Sequence, residues 1–272
     1  MRFRHILSRV LIGLFILIGL FVVIIGGLIL ADSLFPDQRV TDFANVTYPG
    51  SNGQPLHAYL AQPAATSSTP GIILIHELFG LNADIVQKAD LLAEQGYTVL
   101  AVDAYRGKTT QQLLRGIWLV LTTPQEEINA DLDAGIAYLA GLPGVDPARI
   151  GAVGFCFGGT QALRLGIRNP DLAANVIFYG SGLVTDSSQL GNLGANGPVL
   201  GIFGEEDRSI PLEEVYGFEQ ALQDRSILYR VSIYPEVGHA FVTPQSLSVP
   251  GAAQQAWREM LTFLDESLKP DA

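Results

Sequence analysis

The chain has 272 residues, of which 48% are hydrophobic, and it carries a formal net charge of -11. That length and hydrophobic fraction predict one large domain with a substantial core. The negative charge argues against nucleic acid as a partner and against peripheral binding to anionic lipid. A single cysteine, Cys156, excludes an intramolecular disulfide framework and any multi-cysteine metal site.

The N-terminal segment has the pattern of a membrane anchor. Arg2, Arg4 and Arg9 precede an uncharged apolar stretch, Val10 to Ala31, and as a helix this stretch would extend roughly 33 Å, enough to cross the hydrocarbon core. The arginines before it place the N-terminus in the cytoplasm and the folded domain on the extracytoplasmic side. A cleaved signal peptide is the alternative, although its apolar region is usually about 7–15 residues. The predicted organisation is a cytoplasmic tail and transmembrane helix over residues 1–31, a linker over 32–43 and a folded domain over 44–272.

Beyond the linker, strand-like and helix-like patterns alternate along the chain. Several of the strands are continuous apolar runs, as expected for parallel strands that are covered on both faces. The alternation predicts a doubly wound, mostly parallel α/β sheet with antiparallel strands at its start. Strands are predicted at 45–48, 56–61, 71–76, 98–103, 150–154, 175–179, 199–203 and 227–234, and helices at 83–95, 110–121, 124–140, 159–166, 212–223 and 252–268.

The single cysteine follows one of these apolar strands, inside the segment Gly154 to Gly159. A strand that breaks at Gly-x-Cys-x-Gly and enters a helix has the layout of a nucleophile elbow, with cysteine in place of serine. The small flanking residues suit a strained turn against which the next helix packs closely. Because a free cysteine is often only a small buried hydrophobe, the motif needs catalytic partners elsewhere in the chain.

Two residues further along the chain supply those partners. A cysteine nucleophile needs a base, and the base needs an acid to orient it. His239 follows the last predicted strand and Asp207 follows the strand before it, which gives the order nucleophile, acid, histidine found in α/β-hydrolases. The sequence therefore predicts an α/β-hydrolase fold with a catalytic triad of Cys156, His239 and Asp207. Glu205 and Glu206 are adjacent to Asp207, and the alternative for Asp207 is a carboxylate of the loop that is merely solvated.

Backbone groups near the nucleophile are expected to hold the oxyanion. The N–H of Phe157 directly follows the nucleophile, and a second N–H is expected from the loop after the strand 71–76, at Leu78. Glu77 ends that strand and could share a hydrogen bond with the thiol and control its ionisation. The alternative for Glu77 is a carboxylate that is bonded only to its own turn.

No metal or other cofactor is predicted. The chain has four histidines. His76-Glu77 begins like the zinc-protease motif, but the second histidine of that motif would fall at Gly80.

Four segments resemble signatures of the dienelactone hydrolase family, and they occur in the family's order within residues 41 to 268. The resemblance implies a Cys-His-Asp triad at Cys156, His239 and Asp207. It also implies that Glu77 engages the thiol and influences its activation when substrate binds. The segments that carry the resemblance are Leu74 to Asn82, Gly154 to Gly159, Gly204 to Asp207 and Gly238 to Phe241.

The chain departs from the family pattern at two arginines. Family members that act on dienelactone hold its carboxylate with two arginines, one of them two residues after the tyrosine of an Asp-x-Tyr segment. Here Arg106 directly follows Tyr105, one position early, and Thr243 stands where the second arginine is expected. Arg106 is therefore predicted to bind an anionic part of the substrate, with a plain surface arginine as the alternative.

These patterns together predict a hydrolase that cleaves a small-molecule ester or lactone through a cysteine nucleophile. Two other functions stay open at this stage. One is a non-catalytic, membrane-anchored binding domain that keeps the fold, and the other is an acyl transferase that uses the same triad. The sequence sets neither the acyl group, the leaving group nor the oligomeric state.

Overall fold

The computed structural model describes residues 2–34, 38–64 and 68–269. The strands of that part of the chain are β1 (Val46–Pro49), β2 (Pro55–Ala61), β3 (Thr69–Ile75), β4 (Thr98–Val102), β5 (Val145–Phe155), β6 (Ala174–Phe178), β7 (Val199–Gly204) and β8 (Tyr229–Tyr234). The α-helices are α1 (Arg2–Leu34), α2 (Ala83–Glu94), α3 (Leu113–Thr122), α4 (Gln125–Ala140), α5 (Phe157–Arg168), α6 (Leu212–Asp224), α7 (Pro244–Leu247) and α8 (Ala252–Leu268).

The strands form one sheet in the order β1-β2-β4-β3-β5-β6-β7-β8. β2 pairs antiparallel with β1 and with β4, and every later pair is parallel. The predicted doubly wound, mostly parallel sheet with antiparallel strands at its start is confirmed. After β3 the chain adds β4 on one side and later β5 on the other, so the strand order reverses around β3. Ligands bind beyond the carboxyl ends of the strands at such a reversal.

The core lies on both faces of this sheet. All seven residues of β3 are buried, and their side chains alternate between the faces as a strand requires. Ile72 and Leu74 pack in one hydrophobic cluster, whereas Ile73 and Ile75 pack in the other. Because the central strands are covered on both sides, their carboxyl ends are fixed relative to each other and can position a site.

The first helix covers the segment that was predicted to be a membrane anchor. Among the residues described, no helix combines the length and the apolar character needed to cross a membrane. The transmembrane span predicted over 10–31 is therefore not confirmed, and the extracytoplasmic placement stays a prediction.

The structure differs from the predicted elements mainly at two places. β5 begins at Val145, five positions before the predicted strand, and pairs with Thr69 across a register shift. Pro147 and the turn-forming Asp146 conceal this extension, because neither residue favours a strand. The short helix α7 was not predicted, since four residues are too few to show a helical period.

Candidate active site

Cys156 sits at a strained turn between β5 and α5. Its φ of 55° and ψ of -115° place a non-glycine residue at positive φ, which is uncommon. Its N–H donates to the carbonyl of Phe178 at 3.0 Å. A Cβ at Gly154 would collide with the backbone of Gly158, and a Cβ at Gly158 would collide with the carbonyl of Ile75. The flanking glycines are therefore required by the close packing of the elbow.

The structure brings the three predicted triad residues into one hydrogen-bonded chain. His239 Nε2 lies 3.1 Å from Cys156 Sγ, and His239 Nδ1 lies 2.6 Å from Asp207 Oδ2. The side chain of Asp207 is 1% exposed, whereas Glu205 and Glu206 are exposed. Of the three acidic residues in this loop, the buried Asp207 is the one that orients the histidine.

The hydrogen bonds of this chain shift the pKa values of His239 and Asp207 in opposite directions. The hydrogen bond with Cys156 and then the one with Asp207 outweigh burial and raise the pKa of His239 to about 9. Burial raises the pKa of Asp207, but hydrogen bonds from Ser209 and His239 outweigh it and hold that pKa below its ordinary value. An imidazolium between a carboxylate and a sulfur atom can stabilise a thiolate.

Ser209 is a further member of this cluster that the sequence reasoning missed. Its Oγ lies 2.6 Å from Asp207 Oδ1 and 3.1 Å from His239 Nδ1. Its N–H also donates to Asp207 Oδ1 at 2.8 Å, which makes a turn of the kind that aspartate commonly forms with the residue two positions on. The Asp-x-Ser spacing was the available signal. Ser209 fixes the carboxylate so that its other oxygen faces the histidine.

Glu77 lies in the loop directly after β3, where its carboxylate contacts two side chains. Glu77 Oε2 is 3.3 Å from Lys88 Nζ, and Glu77 Oε1 accepts from the Tyr179 hydroxyl at 3.3 Å. In the described part of the chain no hydrogen bond joins Glu77 to the Cys156 thiol. Direct engagement of the thiol stays a prediction, and in this structure a lysine neutralises the carboxylate.

Lys88 is the second residue that the sequence reasoning missed. Its side chain is 0% exposed, and its Nζ lies 4.0 Å from the centre of the ring of Phe155, the residue before Cys156. Its signal is a lysine on the apolar stripe of α2, in step with Ile85, Ala89 and Leu92, which are all buried. A cation on the buried face of a helix needs an anion nearby, and Glu77 supplies it.

His76 orients one of the two predicted oxyanion donors. The N–H of Ala104 donates to His76 Nε2 at 3.1 Å, so the proton is on Nδ1, which donates to the Glu77 carbonyl at 2.7 Å. Complete burial lowers the pKa of His76 to about 4, which keeps the ring neutral. The C=O and N–H of a trans peptide point in opposite directions. Fixing the Glu77 carbonyl therefore also fixes the direction of the Leu78 N–H.

The residues of both predicted oxyanion donors lie at a cavity that opens over Cys156. Leu78 and Phe157 line it, and Phe157 is the first residue of α5, whose N–H has no acceptor within the helix. Across the described ranges, neither N–H donates to any other protein group. The two unpaired N–H groups thus belong to residues that line the same cavity as Cys156.

The cavity over Cys156 has a volume of about 330 Å³. Its walls come from the β3 loop, from α4 and the residues before it, and from α5. Among its lining residues there is no aspartate or glutamate. Within the residues described, no group of three His, Cys, Asp or Glu side chains is placed to hold a metal ion. The arrangement suits attack by sulfur on an uncharged carbonyl group.

Arg106 does not line this cavity, and its role in binding substrate stays a prediction. Its Nε and Nη2 donate to the two oxygens of Asp131 at 2.7 and 2.9 Å, and its Nη1 lies 2.6 Å from Glu127 Oε2. The guanidinium is thus committed to two carboxylates of α4 and joins the loop after β4 to that helix. Thr243, the other departure, caps α7 by accepting from the Ser246 N–H at 3.1 Å.

Comparison with known proteins identifies the family of the chain. Residues 56–268 match the model of the dienelactone hydrolase family. The chain belongs to the dienelactone hydrolase family. Its membership confirms the family resemblance and makes the protein an ester or lactone hydrolase of α/β-hydrolase fold.

Individual relatives of this dienelactone hydrolase family member are similar over most of their length. A Synechocystis protein with a provisional carboxymethylenebutenolidase name is 33% identical over 82% of this chain and 96% of its own. A crystal structure from Klebsiella pneumoniae, provisionally assigned as a dienelactone hydrolase, is 29% identical with a TM-score of 0.69 and covers 82% of this chain and 100% of its own. A dienelactone hydrolase-like promiscuous phosphotriesterase from metagenomic libraries, 22% identical with a TM-score of 0.69, covers 82% of this chain and 97% of its own and shares the fold.

Proposed function

We propose that the protein hydrolyses a small-molecule carboxylic ester or lactone with Cys156 as nucleophile, His239 as general base and acid, and Asp207 as the acid that orients His239. The observation that carries the proposal is the hydrogen-bonded chain of these residues, with 3.1 Å between Cys156 Sγ and His239 Nε2 and 2.6 Å between His239 Nδ1 and Asp207 Oδ2. It lies at the carboxyl edge of the sheet, where ligands of such folds bind.

In the first half of the reaction, His239 Nε2 takes the thiol proton and the Cys156 thiolate attacks the carbonyl carbon of the ester. The N–H groups of Phe157 and Leu78 stabilise the negative charge that develops on the carbonyl oxygen. When the tetrahedral intermediate collapses, the C–O bond breaks and His239 gives its proton to the departing oxygen. The acyl group is then held as a thioester on Cys156.

In the second half, water enters the cavity and His239 removes its proton as the oxygen attacks the thioester carbonyl. The same two N–H groups hold the second oxyanion. The intermediate collapses with loss of the thiolate, which releases the carboxylic acid and restores the imidazolium–thiolate pair. Asp207 stays ionised throughout and stabilises the imidazolium.

A screen of activated esters and lactones, made with the full chain and its Cys156→Ala variant, tests the proposal. The wild type should turn over at least one compound and the variant should show no turnover above background. Iodoacetamide should alkylate Cys156 at neutral pH, which a non-catalytic binding domain with an inert thiol would not show. Unchanged esterase activity in the variant would overturn the proposal.

The same acyl-enzyme could serve a transferase, and the screen can separate the two reactions. Alcohol and amine acceptors are added, and the ratio of transferred to hydrolysed acyl product is measured. A hydrolase yields mainly the free acid at millimolar acceptor. If an acceptor outcompetes water, the acyl transferase assignment replaces the hydrolase assignment while the roles of the triad residues stay the same.

A further inference from the structure

The helix α3 carries an apolar stripe that no other part of the described chain covers. The opposite side of α3 packs against the domain: Gly116 and Leu119 are buried, and a Cβ at Gly116 would come within 2.8 Å of Leu78 Cγ. This packing holds the stripe facing outward. Its members share one side of the helix because of their spacing. The α3 stripe consists of Leu113, Leu114, Ile117, Trp118 and Leu121, which are all exposed.

The residue types in and around the α3 stripe suit the surface of a bilayer. Single apolar residues scattered on a surface are normal, whereas a contiguous apolar patch marks an interaction site. The chain has 27 acidic residues, yet none of them lies between Ala104 and Gln125, where the charged residues are Arg106, Lys108 and Arg115. Tryptophan favours the boundary between lipid and water. A short helix that combines these features can lie in that boundary.

The neighbouring helix α1 indicates what covers the stripe. α1 contacts α3, and all its large apolar side chains over residues 11–24 are exposed. Successive residues of a helix point about 100° apart, so these side chains surround α1 on every side. Protein could cover such a helix only from several sides at once, whereas lipid surrounds it without further partners. Because α3 lies next to α1, lipid that covers α1 also reaches the α3 stripe, whether or not α1 crosses a bilayer.

We propose that the α3 stripe docks on the surface of a neutral, zwitterionic lipid bilayer, with Trp118 at the boundary between headgroups and acyl chains. A zwitterionic surface fits best because the net charge of -11 opposes anionic lipid. The docking surface goes beyond the proposed function, since a chain without esterase activity could still dock. It lies beside the cavity over Cys156, which Val120 of the same helix lines.

Trp118 reports on docking directly, because the chain has two tryptophans that differ in exposure. Trp118 is 47% exposed, whereas Trp257 is 7% exposed. The full-length protein is reconstituted into phosphatidylcholine vesicles, with or without a lipid that carries a doxyl quencher high on its acyl chain. The doxyl lipid should quench the emission of Trp118, and aqueous iodide on both sides of the membrane should not. The variant Trp118→Phe should lose the emission that the doxyl lipid quenches.

The variant Leu121→Gln tests the stripe itself. Leu121 is 76% exposed, and the matched control is Leu228, which lies outside the stripe and is 74% exposed. Loss of one leucine from the lipid should weaken docking on the order of 10-fold, and adding Ile117→Gln should weaken it further. Iodide should then quench Trp118 and the doxyl lipid should quench it less. Leu228→Gln should behave as the wild type does, and none of these exposed substitutions should disturb the fold.

The outcomes separate docking from its alternatives and from the proposed function. If iodide reaches Trp118 and the doxyl lipid does not, α3 faces water and the proposal is wrong. Shielding of Trp118 from both quenchers would mean that protein, such as a second copy of the chain, covers the stripe, which also overturns the proposal. Equal effects of Leu121→Gln and Leu228→Gln would show that the stripe is not the docking surface. Cys156→Ala should lose esterase activity and keep the quenching by doxyl lipid, so the proposed function is decided separately.

Discussion

The buried pair of Lys88 and Glu77 yields a stability prediction that can be worked out from the structure. Lys88 is 0% exposed, its Nζ is 3.3 Å from Glu77 Oε2, and the Glu77 side chain is 18% exposed. Lys88 Nζ also lies 4.0 Å from the centre of the Phe155 ring. In the variant Lys88→Met, a flexible apolar side chain fills a similar space, while Glu77 loses its counter-charge.

The expected loss follows from the size of these interactions. At an effective dielectric constant of about 20, the attraction between the charges amounts to about 5 kcal/mol, and the cation–π contact adds about 1–2 kcal/mol. Removing the ammonium group also removes the cost of its desolvation, which offsets part of this loss. Breaking a buried ion pair typically costs about 3–5 kcal/mol. Because Glu77 is partly exposed, we expect Lys88→Met to lower the free energy of unfolding by about 3 kcal/mol, or Tm by roughly 6–12 °C.

Urea unfolding of four proteins, namely the wild type, Lys88→Met, Glu77→Gln and the double variant, measures this prediction. Glu77→Gln leaves the more deeply buried charge, that of Lys88, without a counter-charge, so it should lower the free energy of unfolding at least as much as Lys88→Met does. The double variant removes both charges, so its loss should be smaller than the sum of the two single losses by about 2 kcal/mol or more.

Lys269→Met is the matched control. Its ammonium group also pairs with a carboxylate, that of Asp265 at 2.8 Å, and lies 3.8 Å from the centre of the Tyr97 ring. Since Asp265 is 56% exposed, this substitution should cost only about 1 kcal/mol. Strictly additive losses of Lys88→Met and Glu77→Gln, or a Lys88→Met protein as stable as the control, would refute the assignment of a coupled buried pair.

Three further predictions concern residues around Cys156. His76→Gln should lower kcat roughly 10-fold in an ester assay with little change in KM, because the Leu78 N–H loses its fixed direction. As the pH falls from 6.5 to 4, the wild type should lose about 3 kcal/mol of its free energy of unfolding, because the unfolded chain binds a proton that the buried ring, with its pKa lowered to about 4, does not bind. His76→Gln should not show this loss. Ser209→Ala should lower kcat/KM severalfold in the same assay, since Asp207 loses a hydrogen bond of 2.6 Å. Because the pKa of His239 is raised to about 9, the stability contributed by its protonated form is complete below about pH 6.5 and is lost as the pH rises through 9; unfolding of the wild type should show this loss, and His239→Gln should not.

Each of these has an outcome that contradicts it. A His76→Gln protein with wild-type kcat would mean that the Leu78 donor is held by other groups. Wild-type kcat/KM in Ser209→Ala would show that the histidine alone positions Asp207. An equal pH slope in the wild type and His239→Gln, measured by urea unfolding between pH 6.5 and 9, would show that the imidazolium contributes no stability to the folded state.

Local patterns were sufficient to predict the sheet and the elbow. The buried strands are apolar runs that can be recognised without knowledge of their neighbours. The elbow could be found because the packing around Cys156 requires glycine at Gly154 and Gly158, and glycine is visible in a sequence. Elements without a local pattern were missed, as with the four residues of α7 and the extension of β5 through Pro147.

Partners in space were harder to predict than positions in the chain. The order of residues along the chain predicted Asp207 and His239 as partners of Cys156. The choice of Asp207 over its acidic neighbours, however, depends on which carboxylate is buried. The place of Arg106 after Tyr105 predicts a contact with substrate, and the structure adds a contact with Asp131 that α4 brings to its guanidinium. The sequence gives no sign of that contact, because the helix that covers a loop is set by the packing of the whole sheet.

The sequence by itself determined the doubly wound sheet, the elbow at Cys156 and the positions of Asp207 and His239 after successive strands, because each depends on residue types that a short stretch of backbone requires. The tertiary structure decided which charges meet. It pairs Lys88 with Glu77 and Arg106 with Asp131. Electrostatic partnership depends on distance in space, and in this fold residues far apart in the chain are brought together at one edge of the sheet.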